Sequence, residues 1–429
     1  MISYIKNDIP AIGSYDVIVC GSGPSGICAA VSSARMGKST LLLERQGMVG
    51  GALTSMLVGP TMGRVCKGTM TDEINALLGG DPSIKMAFDI EEAKIKLTEL
   101  LAAANVKVYL QAQIADVFME NNTITGLLIA SPDGLKAVYG KVIIDATGDG
   151  TVSHFAGADF ETGRESDKLM QPVSLMFRLY GIDETKVLKK ENWTYDIRMP
   201  NTPEAKRFLE FCVAASKTGA LPEAVSLVRL YRTSRPGECH VNATHKNYIN
   251  GTKLEDIGSA EIELRKQIPI IRDFLKKSVP GFENCFVQNS AVTLGVRDTR
   301  RIIGDYVLTH EDLLSGRKFE DVIVHNAWFY MDIHNITGGG QTLTDVLPYD
   351  IPYRCLVPLK IEQLLTTGRC ISGTHKAEAS YRIMNICMAT GQAAGIAAAL
   401  AAEKNISPRK LNYQEVQKVL TSLGIDLFE

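Results

Sequence analysis

The stretch that most constrains the fold of this chain runs from residue 15 to residue 45 and reads YDVIVCGSGPSGICAAVSSARMGKSTLLLER. Its apolar run from Val17 to Cys20 does not alternate with polar residues, which is typical of a buried parallel strand. Gly21, Gly23 and Gly26 then follow with GxGxxG spacing. The first glycine permits a tight turn, the second lets a diphosphate approach the backbone, and the third lets helix and strand pack closely. The unit predicts a strand, turn and helix that bind a dinucleotide.

A second apolar strand is predicted from Thr40 to Leu43, and it ends on the acid Glu44. Pro24 suits the first turn of the intervening helix, which should end near Met36. Glu44 lies roughly 20 residues beyond the turn, where a carboxylate can accept hydrogen bonds from ribose hydroxyls. The same carboxylate would repel a 2′-phosphate, so the pattern disfavours NADP and leaves NAD or FAD open.

Composition excludes several other classes of protein. The 429 residues, 45% hydrophobic and 22% charged, are enough for a large core and for two domains. A formal net charge of -2 gives no broad attraction to nucleic acid or to an anionic membrane. The nine cysteines form no CxxC pair, and their odd number without a secretory leader predicts reduced thiols in a cytoplasm. The run from Ala393 to Ala402 is too short to span a bilayer, so we expect a soluble protein.

The rest of the first domain continues the parallel pattern with one interruption. A helix from Asp89 to Ala104 and a strand from Val106 to Leu110 predict another parallel crossover. The period then changes, and short strands predict a β-meander inserted into the sheet: Ile114–Phe118, Thr123–Ile129 and Lys136–Val142. The parallel sheet should resume at Val142–Ile144. The fold class is therefore α/β.

The middle of the chain lacks this alternation and predicts a second domain of the α+β type. Its expected elements are strands at Gln171–Tyr180 and Val225–Tyr231 and helices at Thr202–Thr218 and Ile257–Lys277. The sequence returns to the first domain near Pro352. We therefore expect a discontinuous nucleotide-binding domain, residues 1–160 and 350–429, with a substrate domain, residues 161–349, between its parts.

Four further motifs reveal a family resemblance. They are GVRDTRRIIGDYVLTHEDLLSGRKFED at 295–321, DIHN and a glycine run at 332–340, YDIPYRCLVP at 349–358, and GRCISGTHKAEASYRIMNICMATGQAAG at 368–395. With the Ala146-Thr147-Gly148 turn, they make the chain resemble the single-chain bacterial FAD-dependent oxidoreductase family. The wider group is the two-domain flavoproteins with the glutathione reductase or fumarate reductase type of fold. The resemblance implies a Rossmann-like FAD-binding domain and FAD as the cofactor.

The residues expected to contact FAD come from both ends of the chain. Some follow from the glycine turn and the acid, and the others are implied by the resemblance: Gly21, Ser22, Gly23, Pro24, Ser25, Gly26, Glu44, Arg45, Gly50, Gly51, Ala52, Ile114, Ala146, Thr147, Gly148, Gly368, Arg369, Arg382 and Met384. The helix at Asn385–Ala402 should begin near Arg382, so its positive end would stabilise the anionic edge of a reduced flavin. The same glycines would also serve a closely packed helix with no such role.

Flavin oxidation of a C–H bond requires a group that takes a proton, and histidine is the commonest such group. His334, in a glycine-flanked loop, and His375, after Gly373, are the candidates, although a lone histidine is more often structural. Arg297, Arg300 and Arg301 could hold a substrate carboxylate, with ion pairs to Asp298 or Asp305 as the alternative. We take His334, His375, Arg297 and Arg301 as the catalytic candidates.

Neither the spacing of His375 and Glu378 nor that of His240 and His245 predicts a metal site. Cys66 could anchor a flavin covalently, although a buried thiol is the simpler interpretation.

The predicted function is hydride transfer between a small organic substrate and a bound flavin. The electron partner is unknown, because only one dinucleotide fingerprint is present, and a homo-oligomer is possible. Two alternatives stay open: an NAD-dependent dehydrogenase that uses the same glycine turn, and a non-catalytic flavin-binding subunit. Flavin-dependent modification of RNA is disfavoured because the chain has no basic surplus.

Overall fold

The computed structural model describes residues 8–79, 87–186, 203–336 and 339–428. The strands are β1 (Ala11–Cys20), β2 (Thr40–Leu43), β3 (Lys107–Tyr109), β4 (Gln113–Glu120), β5 (Thr123–Ser131), β6 (Gly134–Asp145), β7 (Phe160–Thr162), β8 (Phe177–Tyr180), β9 (Arg229–Arg232), β10 (Glu238–Asn242), β11 (Phe286–Ser290), β12 (Arg300–Ile302), β13 (Val322–Ala327), β14 (Met331–His334), β15 (Gln341–Thr344), β16 (Tyr349–Pro352) and β17 (Leu364–Thr366). The helices are α1 (Pro24–Arg35), α2 (Met70–Leu78), α3 (Ile90–Ala103), α4 (Thr151–Phe155), α5 (Pro203–Lys217), α6 (Leu254–Ser278), α7 (His310–Ser315), α8 (His375–Tyr381), α9 (Met384–Lys404) and α10 (Tyr413–Ser422).

The largest sheet has seven strands and combines the predicted parallel layer with the meander. Its strand order is β3-β2-β1-β6-β5-β4, and β17 also pairs with β6. The strands β3, β2, β1, β6 and β17 run parallel, whereas β4, β5 and β6 form an antiparallel meander. The α/β fold with a Rossmann-like sheet and an inserted meander is therefore confirmed.

One detail of this sheet differs from the prediction. The sequence divided the segment between Lys136 and Ile144 into a meander strand and a parallel strand, but β6 is one continuous strand. Its first half pairs with β5, while its last three residues, from Ile143 to Asp145, pair with β17. A break was expected because the hydrophobic period changes along this segment. The change instead reflects a change of neighbouring strand, from the antiparallel β5 to the parallel β17, within one continuous strand. The end of β6 thereby reaches the carboxyl edge of the sheet, beside the glycine turn.

A second sheet forms the antiparallel layer of the middle segment, with the order β11-β8-β10-β9. The strand expected from Gln171 starts only at Phe177, because the amide of Leu175 donates to the hydroxyl of Thr244, 2.7 Å away, instead of continuing the ladder. The strand expected from Val225 likewise starts at Arg229. The predicted helix at 202–218 corresponds to α5, and its first residue lies outside the described part of the chain.

Helices α1 and α9 are in close contact along the parallel sheet. A Cβ atom at Gly391 would lie 2.1 Å from the carbonyl oxygen of Ser25, and one at Gly395 would lie 2.2 Å from that of Ala29. By length and composition α9 could cross a membrane, because its most apolar stretch of 18 residues has a mean hydropathy of 1.3. However, 94% of that stretch is buried inside the fold. The observed helix agrees with the one predicted at Asn385–Ala402 and extends it by a residue or two at each end. Its burial identifies α9 as the central helix of the core.

Candidate functional site

A cavity of about 280 Å³ begins at the glycine turn and extends into the middle segment of the chain. At one end it is bounded by the carboxyl edge of the parallel sheet, which is where open α/β sheets bind their ligands. At the other end it reaches Arg297 and His334. The lining also includes large apolar side chains, among them Met56, Met176 and Phe329. The cavity therefore joins the predicted dinucleotide site to the predicted substrate residues.

The three glycines of the turn have different surroundings. Gly21 has φ +97°, and a Cβ there would lie 2.6 Å from the carbonyl oxygen of Ala146. A Cβ at Gly26 would lie 1.8 Å from the carbonyl oxygen of Gly21, so this position holds helix against strand. A Cβ at Gly23 would meet no atom within 4 Å, and Gly23 lines the cavity. The absence of a side chain at Gly23 leaves open space beside the N-terminus of α1, where a diphosphate fits.

Glu44 joins the end of β2 to the glycine turn. One carboxylate oxygen accepts hydrogen bonds from the amide of Ser22 at 2.8 Å and from its hydroxyl at 2.6 Å. The other accepts from the amide of Gln46 at 2.8 Å. Each carboxylate oxygen has two acceptor positions, so Glu44 keeps capacity for a ribose hydroxyl while it fixes the turn. Glu44 lines the cavity, as the sequence predicted.

Most of the residues expected to contact FAD line the cavity. The exceptions are Ser22, Gly26 and Gly50, which shape the turn and the loop beside it. Among the C-terminal residues, Arg369 is held by hydrogen bonds of 2.8 Å to the carbonyl of Val296 and to the carboxylate of Asp149. The N-terminus of α9 also faces the cavity. The two ends of the chain therefore contribute to one site.

His334 and Arg297 lie at the far end of the cavity. The ring Nε2 of His334 lies 3.6 Å from an oxygen of Asp332. Burial, followed by the charge of Arg297, lowers the pKa of His334 to about 3. Burial opposes the ionisation of Asp332, but His334 and the charges of Arg382 and Arg229 outweigh it and lower the pKa of this carboxyl. At neutral pH the site therefore contains a neutral imidazole beside an ionised carboxylate.

The other two catalytic candidates lie outside the residues that line this cavity. Arg301 donates to the carbonyls of Gly373 and Gly163 and to the carboxylate of Asp298, at 2.9 Å. The ion pair with Asp298 was the alternative interpretation from the sequence, and it applies to Arg301. His375 lies 2.9 Å from the other oxygen of Asp298. The geometry gives His375 and Arg301 contacts with a buried carboxylate rather than with the cavity.

Glu378 joins His375 and Asp298 in a buried cluster that the sequence did not predict. One ligand atom from each lies within 4.8 Å of the others, which is close enough for a metal ion. Two features oppose a cation there. Arg301 already neutralises Asp298, and burial, followed by Asp298, raises the pKa of Glu378 to about 8. A retained proton and the guanidinium together balance the charge of this cluster.

Cys66 is not among the residues that line the cavity. Its side chain is buried, and burial raises the pKa of its thiol to about 11. Both observations favour the buried-thiol interpretation over a covalent flavin anchor, which would need a thiolate at the cavity.

Several lining residues were missed by the sequence analysis. They come mainly from the middle segment and include Ser174, Arg229, Tyr231, Asn242, Asp332 and Leu343. One signal was present, because Arg229 and Tyr231 are two positions apart and therefore share a face of β9. An arginine on the inner face of a buried strand is unusual, and for that reason Arg229 could have been predicted from the sequence as a site residue.

The low pKa of His334 predicts a pH effect on stability. The unfolded chain protonates this histidine below about pH 6.5, whereas the folded protein does so only near pH 3. The unfolded state therefore binds more protons in this window, and stability falls as the pH falls through it. This histidine accounts for about 1.3 kcal/mol of the stability lost between about pH 7 and about pH 5.5, and the replacement His334→Gln should remove that part of the loss. Urea unfolding of both proteins at the two pH values measures it; an equal loss in both would contradict the buried neutral histidine.

The fold and this site define a dinucleotide-binding protein, on the evidence of the parallel sheet, the glycine turn and the acid after β2. Its cofactor cavity continues to residues of the middle segment of the chain. The chain matches the family described as FAD dependent oxidoreductase over residues 16–420 and belongs to it. Its cofactor is FAD, and it is an FAD-dependent enzyme. The resemblance that the motifs indicated is thereby confirmed.

The chain is also similar to individual proteins. It is 30% identical over 159 residues to the tRNA uridine 5-carboxymethylaminomethyl modification enzyme MnmG of Alkaliphilus oremlandii, a match that covers 32% of this chain and 24% of that protein. The corresponding enzyme of Exiguobacterium sibiricum is 35% identical over 152 residues, covering 34% of this chain and 23% of the relative. The chain thus spans about a quarter of the length of these curated relatives.

A similar fold is found in the solved structure of a geranylgeranyl bacteriochlorophyll reductase-like protein (Ta0516) from Thermoplasma acidophilum. The TM-score is 0.50 and the sequence identity 15%, and the match covers 96% of this chain and 84% of that one. At this identity the likeness supports the fold alone.

Proposed function

We propose that this enzyme transfers a hydride between a small organic substrate and bound FAD. The observation that carries the proposal is the single cavity that joins the glycine turn to His334 and Arg297. Residues 161–349 would act as the substrate domain, because they supply the far end of that cavity. We further propose a cytoplasmic protein, since all nine cysteines are buried free thiols.

Residues near the glycine turn and at the start of α9 would bind the cofactor in such a reaction. The open space at Gly23 and the N-terminus of α1 would hold the diphosphate, and Glu44 would accept a hydrogen bond from a ribose hydroxyl. The N-terminus of α9 would stabilise negative charge at its end of the cavity. Bound FAD supplies the group that accepts or donates a hydride.

At the substrate end, His334 would exchange the proton that accompanies hydride transfer. Its imidazole is neutral at neutral pH and so has a free position to accept a proton. Asp332 lies beside the ring and would stabilise the imidazolium once it forms. The apolar wall of Met56, Met176 and Phe329 would exclude water from the reacting atoms.

The names of the curated relatives raise flavin-dependent modification of RNA as a second function. The matched part is about a third of this chain, and the formal net charge of -2 gives no broad basic surface for RNA. We therefore favour a small organic substrate. A non-catalytic flavin-binding subunit would have no need of the neutral histidine and the arginine at the far end.

Replacing His334 with glutamine should slow reduction of the bound flavin by about 100-fold or more, the usual range for a lost general acid or base. The rate is measured anaerobically, by stopped-flow bleaching of the flavin, with the best donor from a panel of organic acids, alcohols and amines. The matched control His375→Gln should retain most of the rate, because His375 does not line the cavity. An unchanged rate in His334→Gln would refute its role, and the lack of any donor in the panel would count against hydride transfer from such substrates.

A further inference from the structure

The far end of the cavity brings together three guanidinium groups from distant parts of the sequence. Arg229 begins β9, Arg297 precedes β12, and Arg382 follows α8, and all three line the cavity. Arg229 is 6% exposed as a whole residue. The carboxylate of Asp332 lines the cavity with them and lies 3.8 Å from Arg382. The end of the cavity is therefore rich in positive charge.

Only one of the three arginines has a carboxylate partner among the described residues. Arg382 donates to the carbonyl of Asp332 at 2.9 Å and lies 3.8 Å from its carboxylate, so these two charges offset each other. Arg297 donates to the carbonyl of Pro172 at 2.7 Å, which is a neutral acceptor. Arg229 forms no ion pair within the described ranges. Because His334 is neutral, the single carboxylate of Asp332 offsets the charges of three guanidinium groups, which leaves an excess of two positive charges at this end of the cavity.

Such an arrangement is costly in the protein alone. Burying a charge without a partner is unfavourable, and two like charges close together add repulsion. The repulsion is visible at Arg297, because burial, followed by the charge of Arg382, lowers the pKa of its guanidinium to about 9. The group remains protonated at neutral pH. A bound anion would remove both costs at once.

We propose that Arg229 and Arg297 bind the oxyanion group of a small organic anion, a carboxylate or a phosphate, which is the substrate of the proposed reaction. The planar guanidinium presents paired donors that match the oxygens of either group. Apolar side chains that line the same cavity, among them Met176 and Phe329, would contact the rest of the molecule, so the substrate has an anionic head and an apolar body. This inference rests on the proposed function and adds the substrate class to it.

A small side cavity next to the main one supports this placement of the anionic group of the substrate. It measures about 20 Å³ and shares Arg229, Asn242, Arg297 and His334 with the main cavity. Its lining also includes His245, and its polar walls suit an oxygen atom of the anion or a water molecule bound to it. The anion would also offset the charge of Arg297 beside His334. The imidazole would then become a stronger base when substrate is present.

The test is calorimetric titration of the FAD-loaded protein, together with the shift of the visible flavin spectrum. Benzoate and phenyl phosphate are the two anionic probes, and benzamide is the neutral probe of nearly the same shape as benzoate. We expect one or both anions to bind at least about tenfold more tightly than benzamide, as expected for charge-assisted hydrogen bonds. Preference for one anion identifies the oxyanion as carboxylate or phosphate.

The replacements Arg229→Met and Arg297→Met should each abolish this preference for anions. Arg300→Met is the matched control, because Arg300 lies over the ring of Phe160 and is not a lining residue. If a methionine variant does not fold, Arg229→Lys keeps the charge and should retain measurable anion binding. Equal affinity for benzoate, phenyl phosphate and benzamide in the wild type would overturn the proposal. Protein that holds no FAD would instead overturn the proposed function, and titration of the apoprotein would then still test the anion site.

Discussion

Replacing Gly23 with glutamate should lower the affinity for FAD by about 1,000-fold or more while the protein stays folded. A side chain at Gly23 has room, because a Cβ there meets no atom within 4 Å and the backbone angles, φ -65° and ψ -177°, suit any residue. The added carboxylate would enter the part of the cavity where the diphosphate binds. Two like charges about 4 Å apart repel by about 4 kcal/mol at a protein surface, which corresponds to a factor of about 1,000.

The affinity is measured by titrating apoprotein with FAD and following the quenching of flavin fluorescence. The matched control is Gly258→Glu, which adds the same charge at an exposed position of α6 where a Cβ also meets no atom within 4 Å. The control should bind FAD as the wild type does. Unchanged affinity in the Gly23 variant would mean that the diphosphate does not lie at this turn.

Replacing Gly391 with alanine should lower the free energy of unfolding by at least about 3 kcal/mol, the upper range for overpacked cores. The new Cβ would lie 2.1 Å from the carbonyl oxygen of Ser25, so the backbone of α1 or α9 must move. Neither helix can yield cheaply, since both are buried against the parallel sheet. Valine at the same position should prevent accumulation of folded protein.

Gly258→Ala is the control for helix propensity. Its helical, exposed position should gain up to about 1 kcal/mol from the same substitution. Chemical unfolding of the apoproteins separates the two effects, because FAD binding then contributes nothing to either. A Gly391 variant as stable as the wild type would contradict the close contact between α1 and α9.

The N-terminal part of the fold could be predicted from the sequence because its signals are local. The observed β2 has the predicted bounds, Thr40 to Leu43, and α1 ends one residue before the expected Met36. The glycine spacing also predicted which positions approach other backbone atoms. Turn geometry and strand length are set by neighbouring residues, so a short window of sequence contains this information.

The substrate end could not be predicted in the same way because its residues meet only through the tertiary fold. Arg229 and Arg297 are far apart in sequence, and Arg297 was chosen together with Arg300 and Arg301 from one short motif. The structure separates these three arginines, with Arg297 at the cavity, Arg301 on Asp298 and Arg300 over Phe160. Spacing within a loop does not reveal which side chain faces a cavity and which faces a buried carboxylate.

The most direct test of the central claim is the visible absorption spectrum of the purified protein before and after acid precipitation. We expect a flavin band in the native protein that moves into the supernatant as FAD, because Cys66 and the other thiols are buried and the predicted contacts are noncovalent. The spectrum of Gly258→Glu should be the same, whereas Gly23→Glu should be colourless. A colourless wild-type protein that FAD cannot reconstitute would contradict the assignment of this cavity to a flavin.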